Sequence, residues 1–312
     1  MRAVVISKGE VSWSGYEAPK PSGSELLVRV QAAGLNGADL HQLAGHYPAP
    51  PGVPPDIPGL ELAGVVEEAG PRALRYRAGD RVMALVQGGA QAELCLVDEH
   101  LAIPVPDQLN WEEAGGFTEA FATAHDALIT QAGLAAGERL LVTGAAGGVG
   151  LAGVQLGLAA GAEVVASVRR AELRNRVAEL GATAAAPEEV VALGPYDVVL
   201  ELVGAPNLSE DLASLAPWGR VVVIGIGGGS RSELDLRLVL TKRARLLGST
   251  LRARSLEERA LVMRRVEHQV LPLLERGKVK VLVEAAFRFA EADAAYSRFA
   301  AGGKFGKVVL VA

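Results

Sequence analysis

The stretch Arg139–Val168, RLLVTGAAGGVGLAGVQLGLAAGAEVVASV, confines this chain to few folds. Leu140–Thr143 is an apolar run suited to a strand buried on both faces, and Gly144, Gly147, Gly148 and Gly150 then remove Cβ atoms where the chain turns. Val149–Ala160 has helical length with small or apolar side chains, and Val164–Val168 is a second strand. Strand, glycine turn, helix and strand within about thirty residues make one βαβ unit. The first N–H groups and the dipole of such a helix face a phosphate. The segment therefore reads as the pyrophosphate site of a dinucleotide fold, with contacts from Ala146, Gly147, Gly148 and Val149. The glycines match the common fingerprint only as A-x-G-x-x-G; the alternative is a glycine-rich turn that binds nothing, and the flanking strands and helix speak against it.

An acidic residue about twenty residues beyond the glycines binds a ribose 2′-hydroxyl, and an arginine there pairs with a 2′-phosphate. This chain has Arg169 and Arg170, followed by Arg174 and Arg176. Guanidinium groups suit bidentate phosphate contacts, so Arg169, Arg170 and Arg174 favour NADPH over NADH. The alternative is a solvated basic helix face.

A length of 312 residues suits two domains. The first 110 residues or so read as β, with strands at Arg2–Ser7, Glu25–Gln31, Gly64–Glu68, Arg81–Val86 and Ala92–Val97, and a short helix after Asn36. Pro48–Pro58 is too proline-rich for a helix and reads as an extended loop. From Trp111 helices and strands alternate, which implies a parallel sheet whose later members are Asp197–Val203 and Arg220–Ile226, with Ala244–Leu251 as a possible edge. Leu256–Glu275 is helical, and strand patterning returns at Ala286, Arg288 and Lys307–Val311.

Glycine and charge break every apolar run before the ~18 residues of a membrane span. Arg2 followed by AVVIS shows no leader pattern, so a cytoplasmic location is expected. Cys95 stands alone, which excludes an intramolecular disulfide and a multi-cysteine zinc site. A net charge of −5 without a basic strip gives no reason to expect nucleic-acid binding.

The motifs AAGLNGADLHQLAGHY (32–47), PGLELAGVVEEAG (58–70), AGDRVMALV (78–86), GAAGGVG (144–150), GRVVVIG, GSTLRARSLEER and the closing GKFGKVVL carry a family resemblance. The chain resembles the zinc-independent medium-chain dehydrogenase/reductases, in the quinone oxidoreductase branch that includes zeta-crystallin. The resemblance implies an α/β protein with a Rossmann-type doubly wound parallel sheet over 119–259. It also implies a mainly β, GroES-like catalytic domain formed by both chain ends, 1–118 and 260–312. A homodimer joined through sheet edges is implied as well, with Val221–Ile226 as the expected edge.

Where zinc alcohol dehydrogenases of the superfamily carry a ligating cysteine and histidine, this chain has Asn36 and Leu60; GGFTEAF offers no cysteine near the third position, and the four-cysteine lobe is missing. A zinc site needs three or four convergent ligands, so no metal is expected, and His41 with His46 as a divergent pair is the weaker alternative. Without zinc, the economical chemistry is hydride transfer to a conjugated electrophile whose developing oxyanion needs only donors and a proton.

The catalytic candidates are the Tyr47 hydroxyl and the Asn36 amide, which the resemblance places at the nicotinamide end of the cofactor. Their structural alternatives are an aromatic packing the proline loop and a turn residue before a helix; Asp39 reads as a brace for that turn. The resemblance adds cofactor contacts at Thr123, at Val203, Gly204 and Ala205, at Gly225, Ile226 and Gly227, at Ser249, Thr250 and Leu251, and at Lys307. Ala205 stands where relatives can carry asparagine, with Asn207 close by. The activity implied is NADPH-dependent reduction of a quinone. A 2-alkenal or enone reductase is the nearest alternative, and an NADPH-binding sensor or crystallin-like protein without turnover is the alternative of another class.

Overall fold

The structure is a computed structural model that describes Met1–Ala312. It divides into two compact units. A mainly β unit comprises Met1–Ala122, Leu251–Glu275 and Val281–Ala312, and a parallel-sheet unit comprises Thr123–Thr250 and Arg276–Lys280. No helix is long and apolar enough to cross a membrane.

In the parallel-sheet unit six strands lie in the order Thr183–Ala185, Glu163–Ser167, Arg139–Val142, Tyr196–Glu201, Leu215–Val223 and Arg245–Gly248, all parallel. Numbered along the chain this is 3-2-1-4-5-6, the doubly wound order, whose ligand crevice opens where the order reverses. The reversal lies between Arg139–Val142 and Tyr196–Glu201. Leu140, Leu141, Val142, Val198, Val199 and Leu200 are wholly buried, as strands covered on both faces require. Helix Gly148–Ala159 lies close on this sheet because of its glycines. A Cβ on Gly153 would stand 2.6 Å from Leu200 Cδ2 and one on Gly157 2.5 Å from Leu140 Cδ2.

The expected edge at Val221–Ile226 is corrected by the topology. Strand Leu215–Val223 is covered on its outer side by Arg245–Gly248, returned by the crossover through helix Leu236–Lys242, and Ile224 onward leaves the sheet. Arg245–Gly248 is the open edge.

In the mainly β unit, Glu25–Gly34 is the central strand. It pairs with Glu61–Ala69, Leu94–Asp98 and Lys307–Val311, and Val283–Arg288 lies beyond the last of these. Arg81–Leu85 and Ala102–Pro104 extend the other side, and Arg2–Ser7 forms a hairpin with Glu10–Gly15. That hairpin's second strand, Ala102–Pro104 and Thr183–Ala185 are short or polar, and they lack the apolar alternation that marks the others.

Candidate active site

The mainly β unit gathers buried polar groups around Asn36. Strand Glu25–Gly34 delivers Leu35 and Asn36 to the start of helix Gly37–Leu43, while Glu61 and Lys307 each open a neighbouring strand. Lys307 Nζ lies 2.6 Å from Glu61 Oε1 and donates to Asn36 Oδ1 at 2.7 Å and to Leu35 O at 2.9 Å. Asn36 Nδ2 donates to Glu61 Oε1 at 3.0 Å and to Gly34 O at 3.3 Å, and Glu61 Oε2 accepts the Glu119 N–H at 2.8 Å. Gly34 is needed here, since a Cβ on it would overlap the Glu61 carboxylate. Both amide protons of Asn36 are thus engaged by the chain itself, and the amide orients Lys307 and Glu61.

Asp39 braces the turn as the sequence suggests, its Oδ2 accepting the Asn36 N–H at 2.8 Å and its Oδ1 the Gly59 N–H at 3.0 Å. Burial pushes its pKa up to about 6, against the opposing pull of those two N–H groups and of the Lys307 and Arg252 charges.

Tyr47 is half-buried. The Arg252 guanidinium stacks over its ring, 4.8 Å from the centroid, and Arg252 also donates to Tyr47 O at 3.1 Å, Gln42 Oε1 at 2.8 Å and Gln87 O at 2.7 Å. Gln87 Nε2 returns a bond to Arg252 O. The ring therefore packs, while its hydroxyl makes no hydrogen bond within the chain. His41 and His46 are exposed, and nowhere do three or more His, Cys, Asp or Glu side chains gather as a metal site needs.

In the parallel-sheet unit the glycine turn separates two requirements. A Cβ on Gly150 would lie 2.6 Å from Gly144 O, so the turn itself demands glycine there. At Gly147, which precedes the helix, a Cβ would meet only Gly144 O at an ordinary 3.5 Å. The chain's own packing leaves that position open, and the space a Cβ would fill is a cradle fitting a pyrophosphate at a helix N-terminus. Ala146, Gly147, Gly148 and Val149 are partly exposed between buried Ala145 and Gly150.

Arg169 and Arg170 follow strand Glu163–Ser167 and are exposed; Arg170 lies 3.5 Å from Glu172, and Arg169 has no acidic partner. Arg174 instead buttresses the strand end, donating to Val168 O at 3.0 Å and Arg169 O at 3.4 Å. The loops at Val203–Ala205 and Gly225–Gly227 leave adjacent strands and are brought together. Asn207 turns inward to Glu201 Oε2 at 3.2 Å. Ser249 bonds Asp126 Oδ2 at 3.0 Å and precedes exposed Thr250, whereas Thr123 is buried. Leu251 is buried in the mainly β unit.

Buried Glu201 and Asp211 are among the charged groups that motif reading did not single out, whereas Glu61 stands in the PGLELAGVVEEAG motif and Arg252 in GSTLRARSLEER. Glu201 carried a signal, as an acid that closes the apolar run Val198–Leu200.

Residues 22–132 match the family profile described as alcohol dehydrogenase GroES-like domain, and 148–268 the one described as zinc-binding dehydrogenase. The quinone oxidoreductase of Mus musculus is 30% identical, over 96% of this chain and 92% of that protein. That of Lama guanicoe is 33% identical over 78% and 77%. The structure of Pseudomonas syringae pv. Tomato DC3000 quinone oxidoreductase matches with a TM-score of 0.89 and 27% identity, covering 100% of each chain.

Proposed function

The chain belongs to the medium-chain dehydrogenase/reductases, in their zinc-independent quinone oxidoreductase branch, and from that premise we propose that it is an NADPH-dependent quinone reductase. Its parallel-sheet unit is an NAD(P)-binding Rossmann fold. The observation that carries the reading is the arrangement at Asn36. Where this asparagine stands for a ligating cysteine, the Lys307 ammonium already satisfies the oxygens of Glu61, Asn36 and Leu35.

When bound, the reduced nicotinamide supplies the hydride. In the parallel-sheet unit, the N–H groups of Ala146–Val149 hold the pyrophosphate. Arg169 and Arg170 hold the 2′-phosphate over the Arg174 buttress, and Thr123, Val203–Ala205, Gly225–Gly227, Ser249 and Thr250 line the cofactor. In the mainly β unit, Asn36 and Lys307 orient one another, and the Tyr47 hydroxyl is the donor left for an acceptor oxygen or for proton delivery. The availability of that hydroxyl also favours the second reading, a 2-alkenal reductase.

The test measures NADPH and NADH oxidation by wild type and Arg169→Asp against 1,4-benzoquinone, an alkenal, and an alcohol with NADP. Wild type turns over with benzoquinone and NADPH. Arg169→Asp lowers the preference for NADPH by about tenfold or more, the worth of a charge-assisted hydrogen bond. Alcohol oxidation alone overturns the reductase reading, and an unchanged cofactor preference removes Arg169 from it.

Association of two copies belongs to the same reading. It is supported by the open edge Arg245–Gly248 and by exposed Leu236, Leu240 and Leu246 in the segment that forms it. Leu240→Glu with Leu246→Lys converts a dimer to a monomer in sedimentation velocity; a dimer unaffected by both changes, or a monomeric wild type, sinks this interface.

A further inference from the structure

A cavity of about 320 Å³ lies wholly within the mainly β unit, and none of Asn36, Tyr47, Glu61 and Lys307 lines it. That volume is enough for a small molecule. One wall comes from the proline-rich loop, through Val53, Pro54 and Ile57. Gly88 is packed against that loop, where a Cβ would stand 2.6 Å from Val53 Cγ1. Another wall is strand Leu94–Asp98, whose side chains alternate: Cys95 and Val97 are buried, whereas Leu94, Leu96 and Asp98 share a half-buried face that borders the cavity.

Helix Leu256–Arg265 brings a charge to this space. Ser255 caps it, its Oγ accepting the Glu258 N–H at 3.3 Å while Glu258 Oε2 accepts the Ser255 N–H at 3.1 Å, so the first turn is fixed. Leu256 and Arg259, three residues apart, lie on one face of the helix and line the cavity. Arg259 is only 8% exposed, and its one hydrogen bond runs from Nε to Arg254 O at 3.3 Å. Its two terminal amino groups meet no acceptor of the chain. The carboxylates that border the same space are engaged elsewhere or exposed. Asp98 Oδ1 accepts the His100 N–H at 2.9 Å and its Oδ2 the Ser24 hydroxyl at 2.8 Å, Glu25 Oε2 accepts the Ser22 N–H at 2.9 Å and hydroxyl at 2.7 Å, and Glu17 is exposed. A guanidinium does not deprotonate in a protein, so Arg259 is a covered charge without a paired anion, an arrangement that costs stability.

We propose that this cavity is a binding site for an apolar monocarboxylate, whose two oxygens take the terminal amino groups of Arg259 and whose hydrocarbon body lies against Val53, Pro54, Ile57 and Leu96. The planar fork of a guanidinium matches a carboxylate, and the ion pair so formed supplies the anion that the chain itself does not. The apolar walls select a hydrocarbon body over a polar one. Asp98 and Glu25 border the same space and repel a second negative charge, which disfavours phosphates and dicarboxylates.

The experiment is calorimetric titration of the full chain with 3-phenylpropionate. Three companions separate its parts: 3-phenylpropanol shares the body without charge, 3-phenylpropylamine carries the opposite charge, and acetate is the head alone. Wild type takes up 3-phenylpropionate at one site per chain, and each companion binds at least about tenfold more weakly, the worth of a charge-assisted hydrogen bond or of the buried body. Arg259→Met weakens 3-phenylpropionate by about tenfold or more. It does so without lowering the denaturation temperature of the unliganded protein, because the charge it removes has no partner. Val53→Trp fills the cavity, leaves Arg259 in place and abolishes binding. The proposal is overturned if 3-phenylpropanol or 3-phenylpropylamine binds as tightly as 3-phenylpropionate, or if Val53→Trp retains binding. A lowered denaturation temperature or a failure to fold in Arg259→Met assigns the guanidinium to structure and overturns it too, as does an unchanged affinity in that variant. No binding of 3-phenylpropionate at about 10 mM has the same consequence.

Discussion

Lys307→Met lowers the stability of the mainly β unit by about 3–5 kcal/mol, the penalty for leaving one member of a buried ion pair without its partner. Glu61 is fully enclosed and the Lys307 side chain is 5% exposed, so water cannot take over the lost contacts. The lysine also supplies the donor for Asn36 Oδ1 and Leu35 O, which the methionine leaves unmet. Adding Glu61→Gln removes the stranded charge and keeps one oxygen for the Glu119 N–H, though not the second that accepts from Asn36, so the double variant recovers part of the loss. Urea unfolding followed by the fluorescence of Trp13 and Trp111, both in this unit, measures the effect. A single-variant loss below about 1 kcal/mol, as for a solvent-exposed pair, contradicts the burial argument.

Tyr47→Phe cuts alkenal reduction by about two orders of magnitude or more and quinone reduction by much less. An enone that has accepted hydride must be protonated at carbon by a placed donor, which is general-acid catalysis. A quinone yields a stabilised oxyanion that water can protonate. The substitution keeps the ring beneath the Arg252 guanidinium, so the loop is retained and only the uncommitted hydroxyl is lost. Steady-state rates with both acceptors at saturating NADPH separate the two readings. Equal losses would assign Tyr47 to cofactor orientation, and no loss with either would make it a packing residue.

Much of the parallel-sheet unit was legible because its signals are local. Leu140–Thr143 and Val164–Val168 are apolar at strand length, and the glycines between them permit turns and close approaches that other residues would obstruct. The mainly β unit was legible as strands but not as a site. Asn36 was identified by what it replaces; its partners were not, because Lys307 lies 271 residues away along the chain. Arg174 illustrates the converse. Composition groups it with Arg169 as a phosphate contact, yet its guanidinium is bonded to the Val168 and Arg169 carbonyls. The edge at Val221–Ile226 was misread for a related reason, since an apolar run reports burial and does not say which strand covers it.

Residue types and spacing were enough for a dinucleotide fold and a cationic stretch beyond its second strand, each a property of a single short segment, while the lack of the zinc ligands at Asn36 and Leu60 followed from the family resemblance. Tertiary structure decided which charges meet. Lys307–Val311 lies antiparallel to Glu25–Gly34, which sets the Lys307 ammonium against Asn36 and Glu61, and the strand ending at Glu201 lies beneath the loop whose N–H groups that carboxylate holds. Sequence periodicity says which face of a strand is buried. Only the register between strands distant in the chain says what it is buried against.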